Sequence, residues 1–263
     1  MKTLLVKKKN GKIRKVYSPR LSVKKQIKSH LPELNRRALH LCDLDIVHGF
    51  LPGRSPVTNA EKHIGYRYTL SMDIEDFFDS INLSHLNTVL TDKEQKELLY
   101  NGVPVQGLPT SPVISNLAMI EFDKMVKHYL SFRGIVYTRY ADDLTFSFNA
   151  ISQKEIIISV IKYVCAKYRL TVNKSKTRFQ TASFGRRSIT GVSVGENDIQ
   201  VSRKLKRRMR AAKYNNNYPE YMGLLEWSKL KKPKENVDFE LDRKRLREYY
   251  GIKKLIKDSD LIF

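Results

Sequence analysis

The chain has 263 residues and a formal charge of +22 at pH 7. At about 100–200 residues per domain, it holds one large domain or two modest ones with ample core. So large a positive excess excludes a neutral small-molecule enzyme and points to a polyanionic partner. That partner is not a membrane: the longest apolar run, Ile156–Cys165, is short and broken by Lys162, and the chain has neither a lipidation motif nor a signal-type segment.

Residues 1–30 read as a basic leading strand or arm, then a helix from about Ser22, and no acid precedes Glu33. Asp43–Arg54, broken by Gly49, Pro52 and Gly53, reads as a loop. Tyr68–Ile74 is expected to be a strand, with Leu70, Met72 and Ile74 on its buried face and Asp73 pointing the opposite way with Ser71. A helix is predicted from Ser84 to about Tyr100, with a restart cap at Thr91-Asp92. The glycines and prolines of Asn101–Pro112 prevent regular structure throughout. Ser115–Phe132 has apolar residues at helical spacing.

Ile135–Tyr140 and Leu144–Phe148 read as strands around Asp142-Asp143. In the second, Leu144, Phe146 and Phe148 alternate with Thr145 and Ser147, the pattern of a half-buried strand. The two acids therefore sit at the tip of a β-hairpin, where both can leave the core and share a hard cation. Ser152–Glu155 has the form of a capping box and opens a helix with Ile157, Val160, Ile161, Val164 and Tyr168 on one side. Leu170–Val172, Thr177–Thr181, Ser188–Val194 and Ile199–Val201 read as short strands. From Ser202 onward the pattern is helical, with Pro219 and Pro233 as breaks. Arg203–Lys213 holds seven basic residues and no acid. This order of elements gives an α+β class. Cys42 and Cys165 make neither a disulfide framework nor a zinc pattern, and suit a reducing cytoplasm.

An Asp-Asp pair in a turn is usually just a turn. With Asp73 on a neighbouring strand and a very basic body around them, the three carboxylates instead suggest a two-metal site acting on nucleic-acid phosphates. The flanking residues sharpen this. Tyr140-Ala-Asp-Asp143 between apolar strands, preceded by Asp73-Ile-Glu-Asp-Phe-Phe78 and Gln106-Gly-Leu-Pro-Thr-Ser-Pro112, resembles the reverse transcriptases. The three blocks stand in the family's order, and the resemblance runs from about Lys12 to about Gly223.

The resemblance implies a right-hand polymerase: fingers at 1–67 and 82–114, a palm at 68–81 and 115–201, and a short basic helical thumb at 202–263. It implies an RNA-directed DNA polymerase that uses two Mg²⁺ ions and dNTP substrates. Such a reaction is in-line phosphoryl transfer, in which charge develops on oxygens and the protein mainly positions and neutralises. Mg²⁺ takes carboxylate, phosphate and water oxygens. Asp73 and Asp142 would bridge the ions, Asp143 would support one, and the Ile74 carbonyl could add a ligand. Phe78 matches the family's steric gate against a ribose 2′-OH; of the adjacent pair, one of Phe77 and Phe78 can be plain core. Gln106 matches the nucleotide-pocket segment. Arg54 matches a fingers arginine that holds the triphosphate, a role its guanidinium suits. Lys176 matches the palm-edge lysine and could assist the leaving pyrophosphate.

Two further elements narrow the resemblance. Asn59-Ala-Glu-Lys-His63 resembles the Asn-Ala-x-x-His element of retron reverse transcriptases. Ile189-Thr190-Gly191 resembles their Val-Thr-Gly element, with Ile for Val. A retron type implies a structured noncoding RNA as template and primer source, priming from a guanosine 2′-OH, and an RNA–DNA hybrid. It also implies service in antiphage defence with a separate effector protein. Asn59, His63, Thr190 and Gly191 are then candidate contacts to that RNA, and Arg203, Arg207, Arg208 and Arg210 candidate phosphate ligands. A group II intron-like or other defence reverse transcriptase is the alternative, as is a non-catalytic RNA-binding protein, against which the three carboxylates argue.

Overall fold

The structure, a computed structural model, describes residues 2–7, 11 and 13–233. The thumb segment expected beyond 233 lies outside the described residues. Strands β1 (Lys2–Lys7) and β2 (Ile13–Ser18) form an antiparallel hairpin where a single basic strand or arm is expected. Every β1 residue is exposed, so no buried face advertises the pairing. Helices α1 (Leu21–Ser29) and α2 (Leu31–Leu41) follow; Pro32 and Glu33 suit the first turn of α2, and Leu34 and Ala38 bury its inner face. Helix α3 (Pro56–Glu61) starts at Ser55, whose hydroxyl accepts from the amides of Val57 and Thr58.

The four-stranded sheet contains β3 (Tyr68–Asp73), β4 (Val136–Tyr140), β5 (Asp143–Phe148) and β6 (Arg178–Thr181) in the order β4-β5-β3-β6. All its pairings are antiparallel, as the α+β class requires. Leu70, Met72, Leu144, Phe146 and Phe148 face the main core, as their alternation predicts. The opposite face departs from expectation. Thr69, Asp73, Thr145 and Ser147 are buried as well, so β5 is not a half-buried strand.

Between β3 and β4 lie α4 (Phe77–Ser80), α5 (Asp92–Leu98), α6 (Ser111–Ala118) and α7 (Ile120–Leu130). The single helix expected over 84–100 is absent; only α5 forms, and Thr91 starts it with a capping box to Glu94. The helix expected over 115–132 breaks at Met119 (φ −93°, ψ 3°), where the chain turns from α6, buried on all sides against α2, to the amphipathic α7 against β4 and α8. Helix α8 (Gln153–Lys167) buries Ile157, Ile161 and Val164. The Ser152 capping box does not form: Ser152 is itself helical, and the Gln153 side chain accepts from the Ala150 amide instead.

Residues 170–172 make one bridge, Val172 to Ile74, rather than a strand. Ser188–Val194, expected as one strand, is a hairpin of β7 (Arg187–Ile189) and β8 (Val192–Val194). Its two-residue loop, Thr190-Gly191, has φ +46° and +83°, the mark of a primed turn. Strand β9 (Ile199–Val201) completes this second antiparallel sheet. Ile189, Val192 and Val194 form a small separate core with Ala60 of α3. Helices α9 (Arg203–Tyr214), capped by Ser202, and α10 (Tyr218–Ser228) pack together after it.

Candidate active site

Sheet register brings the three carboxylates together. Asp73 ends β3 and pairs directly with Asp143, the first residue of β5. Asp142 sits in the turn between β4 and β5, after Ala141, whose φ of +58° lets the chain reverse. The Ile74 amide donates to the Asp142 carbonyl at 3.0 Å, which ties the turn to the end of β3. Carboxylate oxygens of Asp73, Asp142 and Asp143 lie within 4.8 Å of one another. They line a cleft of about 540 Å³ with Ser71, Thr145, Lys176 and the Thr190-Gly191 turn.

The electrostatics of the cluster follow from crowding. Burial and the neighbouring carboxylates Asp142 and Asp73 push Asp143 up to about 6. Burial raises Asp142 as well, Asp73 adds to the rise, and Lys176 and Arg14 oppose it. The Lys176 ammonium donates to both oxygens of Asp73 at 2.8 Å, and this contact raises the lysine in turn. Three oxygen donors of like charge, held together at a cost, fit a hard divalent cation.

The hairpin tip rests on buried residues that sequence reading missed. Arg139 on β4 is fully buried; its Nε and Nη2 donate to the Asp123 carboxylate on α7 at 2.7–3.0 Å. Its Nη1 donates to Asn116 Oδ1 and to the Ala141 carbonyl at 3.0 and 3.2 Å. Asn116 donates onward to the Gly49 carbonyl at 2.8 Å. Gly49 packs so close that a Cβ would lie 2.5 Å from the Ala141 amide, so only glycine fits there. The one available signal was a charged residue within an otherwise apolar strand, Ile135–Tyr140. Arg14 on β2 was also missed; its charge acts on Asp142 although it is far away in sequence.

The other expected site residues divide. Lys176, Thr190 and Gly191 line the cleft with the carboxylates; Arg54, Phe78 and Gln106 are not among its lining residues. Phe77 is core and Phe78 is partly exposed, with its ring 6.2 Å from that of Phe50. The two differ because they start a short helix after the left-handed Asp76 and so face different sides of it. The Gln106 carbonyl accepts from the Tyr17 amide at 2.8 Å, which docks its loop on β2, the strand of Arg14. Arg54 lies near Asp45 and His48. Arg203, Arg207, Arg208 and Arg210 are exposed on α9, and Arg208 pairs with Glu220 of α10 at 2.5 Å.

Asn59 and His63, expected to contact RNA, do not line the cleft. Both are fully buried within the protein. His63 Nδ1 lies 2.9 Å from Ser147 Oγ and its Nε2 2.7 Å from Thr138 Oγ1. Burial and then the Arg187 charge push its pKa down to about 3, so it is neutral.

Comparison with known proteins places the chain among relatives. The family model described as reverse transcriptase (RNA-dependent DNA polymerase) matches residues 6–224. The chain is 31% identical to the retron Mx65 reverse transcriptase of Myxococcus xanthus, over 80% of this chain and 54% of that protein. It is 29% identical to the retron Ec86 reverse transcriptase of Escherichia coli, over 62% of this chain and 53% of that protein. It thus spans about half the length of these relatives. Among solved structures, a Candida albicans telomerase in complex with a fragment of telomeric RNA aligns with a TM-score of 0.57 at 13% identity, covering 76% of this chain and 45% of that one. Apo telomerase from Candida tropicalis aligns at 0.52 and 12% identity, covering 76% and 47%.

Proposed function

The chain belongs to the reverse transcriptase (RNA-dependent DNA polymerase) family and has its right-hand fold, and from that premise we propose that it is a retron-type RNA-directed DNA polymerase. The observation that carries the proposal is the convergence of Asp73, Asp142 and Asp143 in a basic chain. Palm 68–81 and 115–201, fingers 1–67 and 82–114, and a thumb from 202 are the assignments we adopt. The substrates are dNTPs and the template is a structured noncoding RNA, copied from a 2′-OH primer into an RNA–DNA hybrid. Similarity to the retron enzymes supports the retron type, and the proposal extends to a cytoplasmic role in antiphage defence beside a separate effector. Among the described residues, no helix is long and apolar enough to cross a membrane.

Asp73, Asp142 and Asp143 would hold two Mg²⁺ ions, with the Ile74 carbonyl as a further ligand. When bound, such ions neutralise charge on the attacking and leaving oxygens. The protein's own groups position the rest. Lys176, which donates to Asp73, would meet negative charge on the leaving pyrophosphate. Arg14 brings a second cation toward the same cluster from β2, and the Gln106 loop, docked on that strand, would border the nucleotide. Phe78 crowds a ribose 2′-OH without offering a hydrogen bond. Asn173 holds the loop of Lys176 in place: its side-chain oxygen accepts from the Ser175 amide at 3.1 Å.

Asp142→Asn tests the proposal. Removing one carboxylate removes transition-state stabilisation while phosphate contacts elsewhere keep binding. Primer extension should disappear, with RNA affinity within a few fold of wild type. Normal synthesis by this variant would end the two-metal assignment, and a wild-type protein that makes no branched product with adjacent RNA would end the retron type.

A further inference from the structure

The buried Asn59 and His63, the strained Thr190 and the buried Arg187 belong to one network, and it ends at the cleft. Sheet register places Thr69 opposite Ser147, Ser71 opposite Thr145 and Asp73 opposite Asp143. These pairs form one polar face along β3 and β5, with the carboxylates at one end. At the other end the Thr69 and Ser147 hydroxyls bond at 2.9 Å, and His63 bridges Ser147 to Thr138 of β4. A neutral imidazole suits this bridge, because one nitrogen donates and the other accepts. Arg187 of β7 donates to Thr69 Oγ1 at 3.0 Å and to the His63 carbonyl at 2.8 Å.

The network continues through α3 to the turn. The Thr190 hydroxyl donates to the Pro56 carbonyl at 3.2 Å and accepts from Asn59 Nδ2 at 3.4 Å. Ala60 of the same helix packs into the small core of Ile189, Val192 and Val194. Helix α3 therefore joins the catalytic sheet to the β7–β8 hairpin. Its own start is fixed by Ser55, and the Thr58 hydroxyl lies 2.9 Å from His48 Nδ1.

Backbone conformation adds an independent observation. Thr190 has φ +46°. A β-branched residue is a genuine outlier there, and a primed two-residue turn ordinarily takes Asn-Gly or Gly-Gly. Such strain persists only where surrounding contacts hold it, and it concentrates at functional sites. Here the contacts are the two hydroxyl bonds to α3.

We propose that α3 and the turn that follows it form a strut, in which Asn59 of the helix and His63 of the turn are positioning residues that fix the Thr190-Gly191 turn against the carboxylate cleft rather than residues that read RNA. The inference rests on the polymerase reading for its kinetic consequence, and on the contacts alone for its structural one. It joins the two retron-like elements into one device and gives the hydroxyl of Thr190 a purpose that neither burial nor turn chemistry supplies.

The test uses the full chain and four variants, the first three being Asn59→Ala, Thr190→Val and Thr190→Ser. On a poly(rA)–oligo(dT) primer–template, Asn59→Ala and Thr190→Val should lower kcat about tenfold, the scale of a displaced positioning group. KM for dTTP and RNA affinity should stay within about twofold. Thr190→Ser keeps the hydroxyl and should recover most of the loss. A fourth variant, Thr190→Asn, should raise Tm by relieving the turn and still lower kcat, a split that a purely structural role does not give. Hydrogen exchange should quicken at 188–194 in Asn59→Ala and stay slow at 70–73, a readout that holds even if the wild type proves inactive and the polymerase reading falls. Full kcat on the generic primer–template with RNA affinity reduced more than tenfold would overturn the strut. Unchanged exchange at 188–194 would overturn it equally.

Discussion

The guanidinium of Arg139 donates to the Ala141 carbonyl at 3.2 Å, so a buried cation holds the turn that presents Asp142. The same guanidinium is paired with the buried Asp123 carboxylate, which also accepts from the Tyr137 hydroxyl at 2.7 Å. Removing one partner of such a pair strands the other in a dry interior. Arg139→Leu should therefore cost about 3–5 kcal/mol in urea unfolding. Arg139→Lys keeps a charge opposite Asp123 but lacks the fork that also reaches Asn116 and Ala141. It should retain more stability and still lose about ten- to a hundredfold in kcat. Unfolding of Arg139→Leu at the wild-type urea midpoint would show that the pair carries no such weight.

What could be read from the sequence, and what could not, has a physical cause. Alternation located β3, β5 and their core faces, and two acids between apolar runs located the hairpin tip. Alternation also suggested that the polar face of β5 was solvated. That failed because Thr69, Thr138 and Ser147 find partners in His63 and Arg187, which come from elsewhere in the chain. A buried polar residue looks like a surface residue until its partner is known. The same blindness left the burial of Asn59 and His63 unforeseen, and hid Arg139 and Asp123 inside ordinary patterns. The β1–β2 hairpin was missed for the opposite reason, since its exposed residues leave no periodic signature.

The carboxylate cluster should make metal-free stability depend on pH. Asp143 sits at about 6, above its ordinary value. Between roughly pH 4 and pH 6 the folded state therefore holds more protons than the unfolded one, and stability falls as pH rises through that window. Asp143→Asn mimics the protonated form. With EDTA at pH 8 it should melt roughly 2–4 °C above wild type, no more, because Asp143 is exposed and solvent screens its repulsion. The gain should vanish near pH 4. Added Mg²⁺ should raise the wild-type Tm at pH 8 and leave the variant nearly unmoved. A gain of the same size at both pH values would trace the effect to something other than titration.

Arg14 and Arg54 make competing claims on the triphosphate. Arg14 acts on Asp142, whereas Arg54 acts on Asp45 and His48. Arg14→Ala should raise KM for dNTP about tenfold, in line with one charge-assisted contact to phosphate. Arg54→Ala should change it less than threefold. Steady-state kinetics at fixed primer–template decides the matter, and the reverse order would return the triphosphate to Arg54.

Phe78 should govern sugar selection. Its ring is partly exposed beside Phe50, while Phe77 fills the core. Phe78→Val should raise kcat/KM for rNTP relative to dNTP by about tenfold or more, because a steric exclusion of the 2′-OH is removed. Stability should fall little, since Phe78 is not fully buried. A ratio that does not move would assign the ring to packing against Phe50.

The arginines of α9 should carry unequal shares of RNA binding. Arg208 is engaged with Glu220, whereas Arg203, Arg207 and Arg210 are exposed along a helix that carries no acid. A phosphate contact adds roughly 0.7–0.9 to the slope of log K against log salt, by release of condensed counterions. Arg203→Ala, Arg207→Ala and Arg210→Ala combined should make that slope shallower by about 2 and weaken binding at low salt. Arg208→Ala alone should change the slope by less than half a unit and mainly loosen α9 from α10. Filter binding across a salt series separates the two. A slope unchanged in the triple variant would mean that this charge is only solvated surface, and the positive excess of the chain would then have to meet RNA elsewhere.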